Sequence, residues 1–444
     1  MKDFDIILAF SGLFAVVFGF ASCNPEVNLE TQSATYTIKF AEGIANGTVT
    51  AEKTAGIKAG ENVSLTVIPE DNYRLSSISV TDAAGNAVPA AADATDGTKF
   101  SFTMPASDVT VKAVFEVIYR FHETVTSAGT VVIDEKEFDL VYFGDWPQTI
   151  KAENVTVDEY KRVTIGSNIY YLGDDDNYYA KCIENSSNKY ITYSDGSTAA
   201  LISANSTRYF KVEPIKWRVL TKDSNGKALL FAESILMSND PNYCSDSERV
   251  LNGVTIYPNN YKYSNIRSYL NGTENQFVVD GGTATEYDVD WTGKGFLQNA
   301  FTLRAQNLIQ TTIVDNSEIS TNPETNAVYW SNGKNIYACE NTEDKIYLLS
   351  EKEATTTEYG FTTYREYGEY AITGNSRIRM PTDYAKANYS GNGSPAIWWW
   401  LRSPCYNMSY GARDIDGRGY ACNYNYVNKR TDGIVPALTV TIEN

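Results

Sequence analysis

The sequence predicts an α+β chain in which a small all-β module precedes a larger mixed domain. Three observations carry that prediction. Across residues 36–115, runs such as YTIKF, NVSLTVIP, LSSISVTD and VTVKAVF alternate apolar with polar residues and are punctuated by Gly, Asn or Pro, as expected of short strands joined by hairpins. Beyond residue 138, further β-like runs appear in EPIKWRVL and KALLFAE. They are followed by two segments with helical spacing, SNIRSYLN and AFTLRAQNLI.

Taken in order, residues 1–22 predict a signal peptide. Lys2 precedes an apolar run over residues 6–20, too short for a comfortable membrane span and suited to an h-region. The run ends in Phe20-Ala21-Ser22-Cys23, which resembles a bacterial lipobox with Phe in place of the usual Leu. That resemblance implies cleavage before Cys23, lipidation of Cys23 and attachment to the membrane through the acyl chains. An ordinary signal peptide with an incidental cysteine is the alternative. On the lipobox reading the protein belongs to the bacterial cell envelope, lipid-anchored at the outer surface. Residues 23–34 are polar and read as a tether.

Residues 35–117 form the all-β module. Within it, Gly60-Glu61-Asn62-Val63-Ser64-Leu65 and Phe102-Thr103-Met104-Pro105-Ala106-Ser107-Asp108-Val109 resemble the internalin B-repeat modules of bacterial surface proteins. The resemblance implies a spacer or stalk without chemistry of its own. Residues 118–137 read as a linker, with His122 expected at the surface.

Residues 138–444 behave as one domain. VYFGDWPQ predicts a strand and a turn at Gly144-Asp145-Trp146-Pro147. EPIKWRVL and KALLFAE flank Asp223-Ser224-Asn225-Gly226, whose Asn-Gly is a strong hairpin signal. Ser264 is placed to cap the helix in SNIRSYLN. In AFTLRAQNLI, Phe301, Ala305, Leu308 and Ile309 fall on one helical face. KIYLLSEKEA predicts a strand running into a helix, with Ser350 and Glu353 at capping-box spacing. These segments, with WWWLRSP and the closing GIVPAL, resemble a bacterial extracellular family of unassigned function marked by F-G-x-Y/W-P-Q, I-x-W-x-V-L, S-x-x-R-x-W-L-N, W-W-L-R-S-P and V-R-P-A-L. Tyr269 stands where that pattern often has Trp, and Ile434-Val435-Pro436 replaces V-R-P. The family is similar to the C-type-lectin fold in its formylglycine-generating-enzyme-like branch, which implies a C-type-lectin-like C-terminal domain. Trp217, Arg267, Trp399, Trp400, Arg402 and Pro436 are expected to be structural. An aromatic sugar platform built on Trp398, Trp399, Trp400 and Arg402 is the competing reading.

Composition excludes several function classes. With 55 acidic against 37 basic residues the chain carries a formal charge of −18, unsuited to neutralising a nucleic-acid backbone. A single histidine makes Ser-His-Asp or Cys-His catalysis improbable, and no HExxH, CxxC pair or phosphate-loop glycine pattern occurs. The chain therefore predicts no enzyme, no cofactor and no catalytic residue. A formylglycine-generating-type site on Cys405 and Cys422 is the minor alternative that the resemblance leaves. Asp174-Asp175-Asp176-Asn177 and Asp414-x-Asp416-Gly417 are oxygen-rich but lack the continuation of an EF-hand, so they read as turns, with a structural calcium ion as the alternative. Apart from Cys23, five cysteines remain, an odd number.

The stretch after Pro404 has the composition of an antibody paratope. Tyrosine gives rigid contact area at little entropic cost, and Ser, Gly and Asn give adaptable hydrogen bonds. Tyr406, Asn407, Ser409, Tyr410, Asp414, Asp416, Arg418, Tyr420, Cys422, Asn423, Tyr424, Asn425, Tyr426 and Asn428 are the candidate ligand-binding residues. The stretch also resembles the variable region of proteins diversified by retroelements, where adenine mutation scatters AAC-type codons into Asn, Tyr, Ser, Asp, Gly, Arg or Cys. Met408 and Lys429 would then be fixed framework. The predicted function is non-covalent binding of a protein or cell-surface ligand. A fixed-sequence glycan-binding adhesin is the alternative.

Overall fold

The computed structural model describes residues 34–442 apart from 71–72, 94–95, 118–120, 184–190, 199–206, 239–242, 246, 280–287, 323–334, 362–374, 390–397, 422 and 430. The lipidation candidate Cys23 lies outside the described residues. The chain divides into two compact units, residues 1–116 and 117–444.

The first unit is all β. One four-stranded sheet runs Ile38–Phe40, Val109–Val117, Tyr73–Asp82, Ala87–Val88; another runs Gly47–Ala51, Asn62–Pro69, Lys99–Thr103, Ala90–Ala92. The period-2 reading holds at the residue level. In NVSLTVIP, Val63, Leu65 and Val67 are buried and pack with Phe102, Met104 and Val111, each aliphatic side chain contributing about 1.5–3 kcal/mol of burial.

The second unit is built on a ten-stranded antiparallel sheet. Its main path is Val157–Ile165, Asn168–Gly173, Tyr178–Ile183, Thr207–Lys222, Lys227–Ala232, Ala437–Thr441, Ile309–Gln310. Lys136–Ile150 pairs with Thr207–Lys222 on one side and with Thr126–Ile133 on the other, so a strand occupies much of the stretch expected to be a linker. Trp217 sits between Val141 and Ala232 in register, fully buried, and its indole N–H donates to the Phe143 carbonyl at 2.7 Å. Gly144 has φ +70, and a Cβ there would run into the Phe301 ring, which explains the glycine in FGDWPQ. A second sheet of five strands has the order Met237–Ser238, Gly433–Ile434, Trp399–Pro404, Gly411–Ile415, Asn423–Tyr426.

The predicted α+β class is overturned. Among the described residues strands make up 47% and helices 11%, so the chain is mostly β and the C-type-lectin-like α+β architecture is withdrawn. Capping explains the shortfall. Ser264 accepts from Arg267 N at 3.2 Å to open Asn265–Asn271, but Gly272 in the left-handed region closes it after seven residues. AFTLRAQNLI is not one helix. Phe301 is extended, Thr302 caps a six-residue helix Leu303–Leu308, and Ile309 enters the large sheet. Leu308 is therefore exposed, whereas Phe301, Ala305 and Ile309 are buried. The Ser350/Glu353 capping box is formed, on a helix of only four residues.

Candidate ligand-binding surface

WWLRSP builds the support. In the strand Trp399–Pro404 every residue is buried. Trp399 packs on Phe231 and donates its indole N–H to the Arg377 carbonyl at 3.1 Å; Trp400 packs on Tyr243. Arg402 donates to the carbonyls of Leu348 at 2.6 Å and Asp315 at 3.0 Å and is ion-paired with Glu353. Two loops and the short helix Glu351–Ala354 thus converge on one guanidinium, whose planar fork of donors suits several acceptors at once. Trp398, one residue earlier, is 40% exposed, so the three tryptophans do not share one environment. Arg267 bridges to Asp344 at 2.8 Å and the Lys262 carbonyl at 2.9 Å, and the Pro436 carbonyl accepts from Ala232 N at 3.1 Å.

The polar-aromatic stretch folds back on this support as Gly411–Ile415 and Asn423–Tyr426, the latter the outermost strand of its sheet among the described residues. Strand alternation sorts its residues. Arg413 is opposite Tyr424 and Gly411 opposite Tyr426, which places both tyrosines on one face, 40% and 45% exposed. Tyr410 is 42% exposed and meets Tyr426 edge to face at 5.3 Å between centroids. Tyr406 lies over the Arg413 guanidinium at 5.7 Å, and Arg413 is fixed by Glu351 at 3.2 Å. Asn407 and Arg418 are exposed, and Ser409, Tyr420, Asn425 and Asn428 are half-buried.

Two predicted ligand contacts are corrected. Asp416 is buried and spent on its own turn: Oδ1 accepts from Arg418 N at 2.8 Å and Tyr420 N at 3.0 Å, and Oδ2 from Arg418 Nε at 2.9 Å. Asp414 is fully buried, with neither carboxylate oxygen accepting a hydrogen bond, and lies beside Asp432. Asp432 Oδ1 accepts from Asn425 Nδ2 at 3.0 Å and Thr431 Oγ1 at 3.1 Å, so Asn425 faces the buried pair and not the tyrosines. Burial, reinforced by the Asp432 carboxylate, holds Asp414 well above the usual carboxylate range; burial also raises Asp432. Asn423 lies on the outer strand opposite Asp414, and Cys422 lies outside the described residues.

Other sequence candidates resolve into structure. Asp175 accepts from Asn177 N at 3.2 Å and the Tyr179 hydroxyl at 2.6 Å, and Asp174 from Thr156 N at 3.0 Å, both as turn residues. Among the described residues no group of three or more His, Cys, Asp or Glu side chains is placed to hold a metal. His122, expected at the surface, lies 2.8 Å through Nδ1 from buried Asp145 of FGDWPQ. Burial pushes the Cys405 thiol up, away from the thiolate form a nucleophile needs.

Several residues that brace the surface escaped sequence reasoning. Asn259 is fully buried; its Nδ2 donates to the carbonyls of Met408 at 2.9 Å and Gly411 at 3.0 Å, while its N–H donates to Ser409 O at 2.9 Å. Arg377 Nε holds the Gly419 carbonyl at 2.7 Å. Glu351 and Asp432 complete the set. Each acts from an element unrelated by local pattern, so no motif signalled them.

Comparison with known proteins adds two domain matches. Residues 36–119 match the divergent InlB B-repeat domain, and residues 225–442 match a domain of unknown function, DUF6273. The second match takes in the five-stranded sheet, the Tyr/Asn stretch and the last four strands of the large sheet, but not its first six. No curated protein and no solved structure matches the chain.

Proposed function

We propose that this chain, which carries a divergent InlB B-repeat domain and a DUF6273 domain, is a cell-surface binding protein. On this reading its C-terminal unit holds a protein or cell-surface ligand non-covalently on the tyrosine face of the 406–428 stretch. The observation that carries it is the contrast across one sheet: WWLRSP and the strand Gly411–Ile415 beside it are buried, whereas Tyr424 and Tyr426 on the outer strand, and Tyr410 in the turn before Gly411, are each at least 40% exposed. Large exposed tyrosines on a fixed frame contribute contact area with little ordering cost. An outermost strand also leaves main-chain donors and acceptors for an extended partner segment. The function needs no covalent step. Lipidation at Cys23 would hold the protein on the envelope, with the B-repeat module as its spacer.

The retroelement reading is the finer form of the same proposal. It assigns variation to the exposed positions 407, 410, 418, 424 and 426 and the half-buried 406 and 409, and leaves Asp414 and Asp416 as frame. The binding claim is tested with immobilised protein, wild type beside a variant carrying Tyr410→Ser, Tyr424→Ser and Tyr426→Ser, exposed to envelope extracts of bacteria from the same habitat. Mass spectrometry identifies what is retained. Proteins held by the wild type and lost with the variant support the reading; identical retention by both refutes it.

A further inference from the structure

A second concave site lies away from the tyrosine face. It is a solvent-open cleft of about 270 Å³ between the FGDWPQ strand, the turn at Ser167 and Asn168, the helix Asn265–Asn271, the loop at Trp291 and the helix Asp383–Ala387. Trp146 and Tyr269, from motifs more than a hundred residues apart, both line it. Trp291 stands edge to face with Tyr269 at 4.9 Å, and Trp146 with Tyr384 at 6.1 Å. The indole N–H groups are committed to the protein: Trp146 donates to the Leu236 carbonyl at 3.1 Å and Trp291 to Asn265 Oδ1 at 2.8 Å. Trp146 and Tyr269 are buried, so the carbon surface offered to a ligand is that of half-buried Trp291 and Tyr384.

The polar lining is different. Asn168 donates its amide to the Tyr170 hydroxyl at 3.1 Å, which leaves its carbonyl oxygen free to accept. Asn388 is committed to the protein: its amide donates to the Tyr384 carbonyl at 2.9 Å and to the Tyr384 hydroxyl, and its carbonyl oxygen faces the Cys182 thiol. Among the described residues Lys294, at the rim, brings the only charge, and no carboxylate lines the cleft. That excludes the design of an aromatic cage for a quaternary ammonium, which uses ring faces for a cation and gains nothing from a lysine beside them. The ring of amides and hydroxyls is likewise too polar for an aliphatic side chain. The volume lies just under the range of drug-sized pockets, which fits a single ring.

We propose that this cleft binds one sugar ring, neutral or bearing a carboxylate, as a free saccharide or as one unit of a glycan. The ring's C–H face would lie against Trp291, which Tyr269 meets edge to face from the core. Its hydroxyls would be read by the Asn168 carbonyl oxygen, and Lys294 would donate to a hydroxyl or pair with a uronic carboxylate. This site is independent of the tyrosine face.

The test is a fluorescence and calorimetric titration of the whole chain with methyl glycosides of glucose, galactose, mannose, N-acetylglucosamine and glucuronic acid, and with choline. The expected result is saturable binding of at least one glycoside, with a change in tryptophan emission. Affinity falls at least tenfold in Trp291→Ala and in Asn168→Ala, stays within about threefold in Trp291→Phe, and is unchanged in the triple Tyr410/Tyr424/Tyr426 serine variant. Thermal melts check that each variant is folded; if Trp291→Ala is not, Asn168→Ala and Trp291→Phe carry the test. The proposal is overturned if no glycoside binds, if choline binds in their place, or if binding is indifferent to Trp291 and Asn168. Loss of sugar binding in the triple tyrosine variant would also overturn it, since the ring would then sit on the other face.

Discussion

Replacing Asp414 with asparagine should stabilise the C-terminal unit at neutral pH and do nothing of the kind in acid. Both Asp414 oxygens are buried without a donor, Asp432 lies beside them, and Arg413 is the nearby cation, itself paired with Glu351. An unfolded aspartate ionises near pH 3.9. In the folded protein burial raises that value, so below about pH 4 both states hold the proton and Asp414 adds no pH dependence. As pH climbs, the unfolded chain has released a proton that the native state still holds. Native stability then falls by about 1.4 kcal/mol per pH unit until the folded group ionises too. The substituted asparagine has no such proton, and its amide can take the place of the protonated carboxyl as donor to Asp432. The variant and wild type should therefore match near pH 4 and diverge in the variant's favour as pH rises, by about 1.4 kcal/mol for each pH unit over which the folded Asp414 keeps its proton. All seven tryptophans lie beyond residue 116, so urea melts followed by tryptophan emission report the C-terminal unit alone. A variant that is less stable than wild type by the same amount from pH 4 to 7.5 would refute this reasoning, because it would mean that the carboxylate is ionised and satisfied.

Three further outcomes follow from the packing. Arg402→Met keeps volume but strands Glu353 and the carbonyls of Leu348 and Asp315, and should cost about 3–5 kcal/mol in the same melts. Asn259→Ala removes the amide that ties Met408 and Gly411, at about 1–3 kcal/mol, and hydrogen exchange should accelerate at residues 406–411 before the rest of the sheet. Tyr426→Ser, on an exposed face, should change stability by only about 0.5 kcal/mol while removing ligand capture, a separation that a merely structural tyrosine would not show.

Much of the fold is legible where the determinant is local. Val63, Leu65 and Val67 announce their strand by alternation, Asp223 to Gly226 announce a turn, and Ser350 with Glu353 announces a cap. The burial of Trp399 and Trp400 beside an exposed polar-aromatic strand is legible from composition. Fold class is not, because helical spacing does not set helix length. Gly272 and Thr302 do, and both cut their segments short. Within the candidate site, composition could not sort Asp414 and Asp416 from Tyr424 and Tyr426. That sorting depends on register against Trp400 and on Asp432, which lies across a turn. The braces at Asn259 and Glu351 act over roughly 60 to 150 residues of chain and have no sequence signature.

The central claim is that the 406–428 stretch is a displayed binding face on an invariant frame. Sequencing the 3′ end of the gene and its neighbourhood in many isolates tests it most directly. Amino-acid changes are expected to concentrate at 406, 407, 409, 410, 418, 424 and 426, with Gly411, Asp414, Asp416 and Val427 unchanged. A near-repeat of these codons beside a reverse-transcriptase gene would extend the result to retroelement diversification. Changes spread evenly over buried and exposed positions, or no more frequent here than in the large sheet, would contradict it.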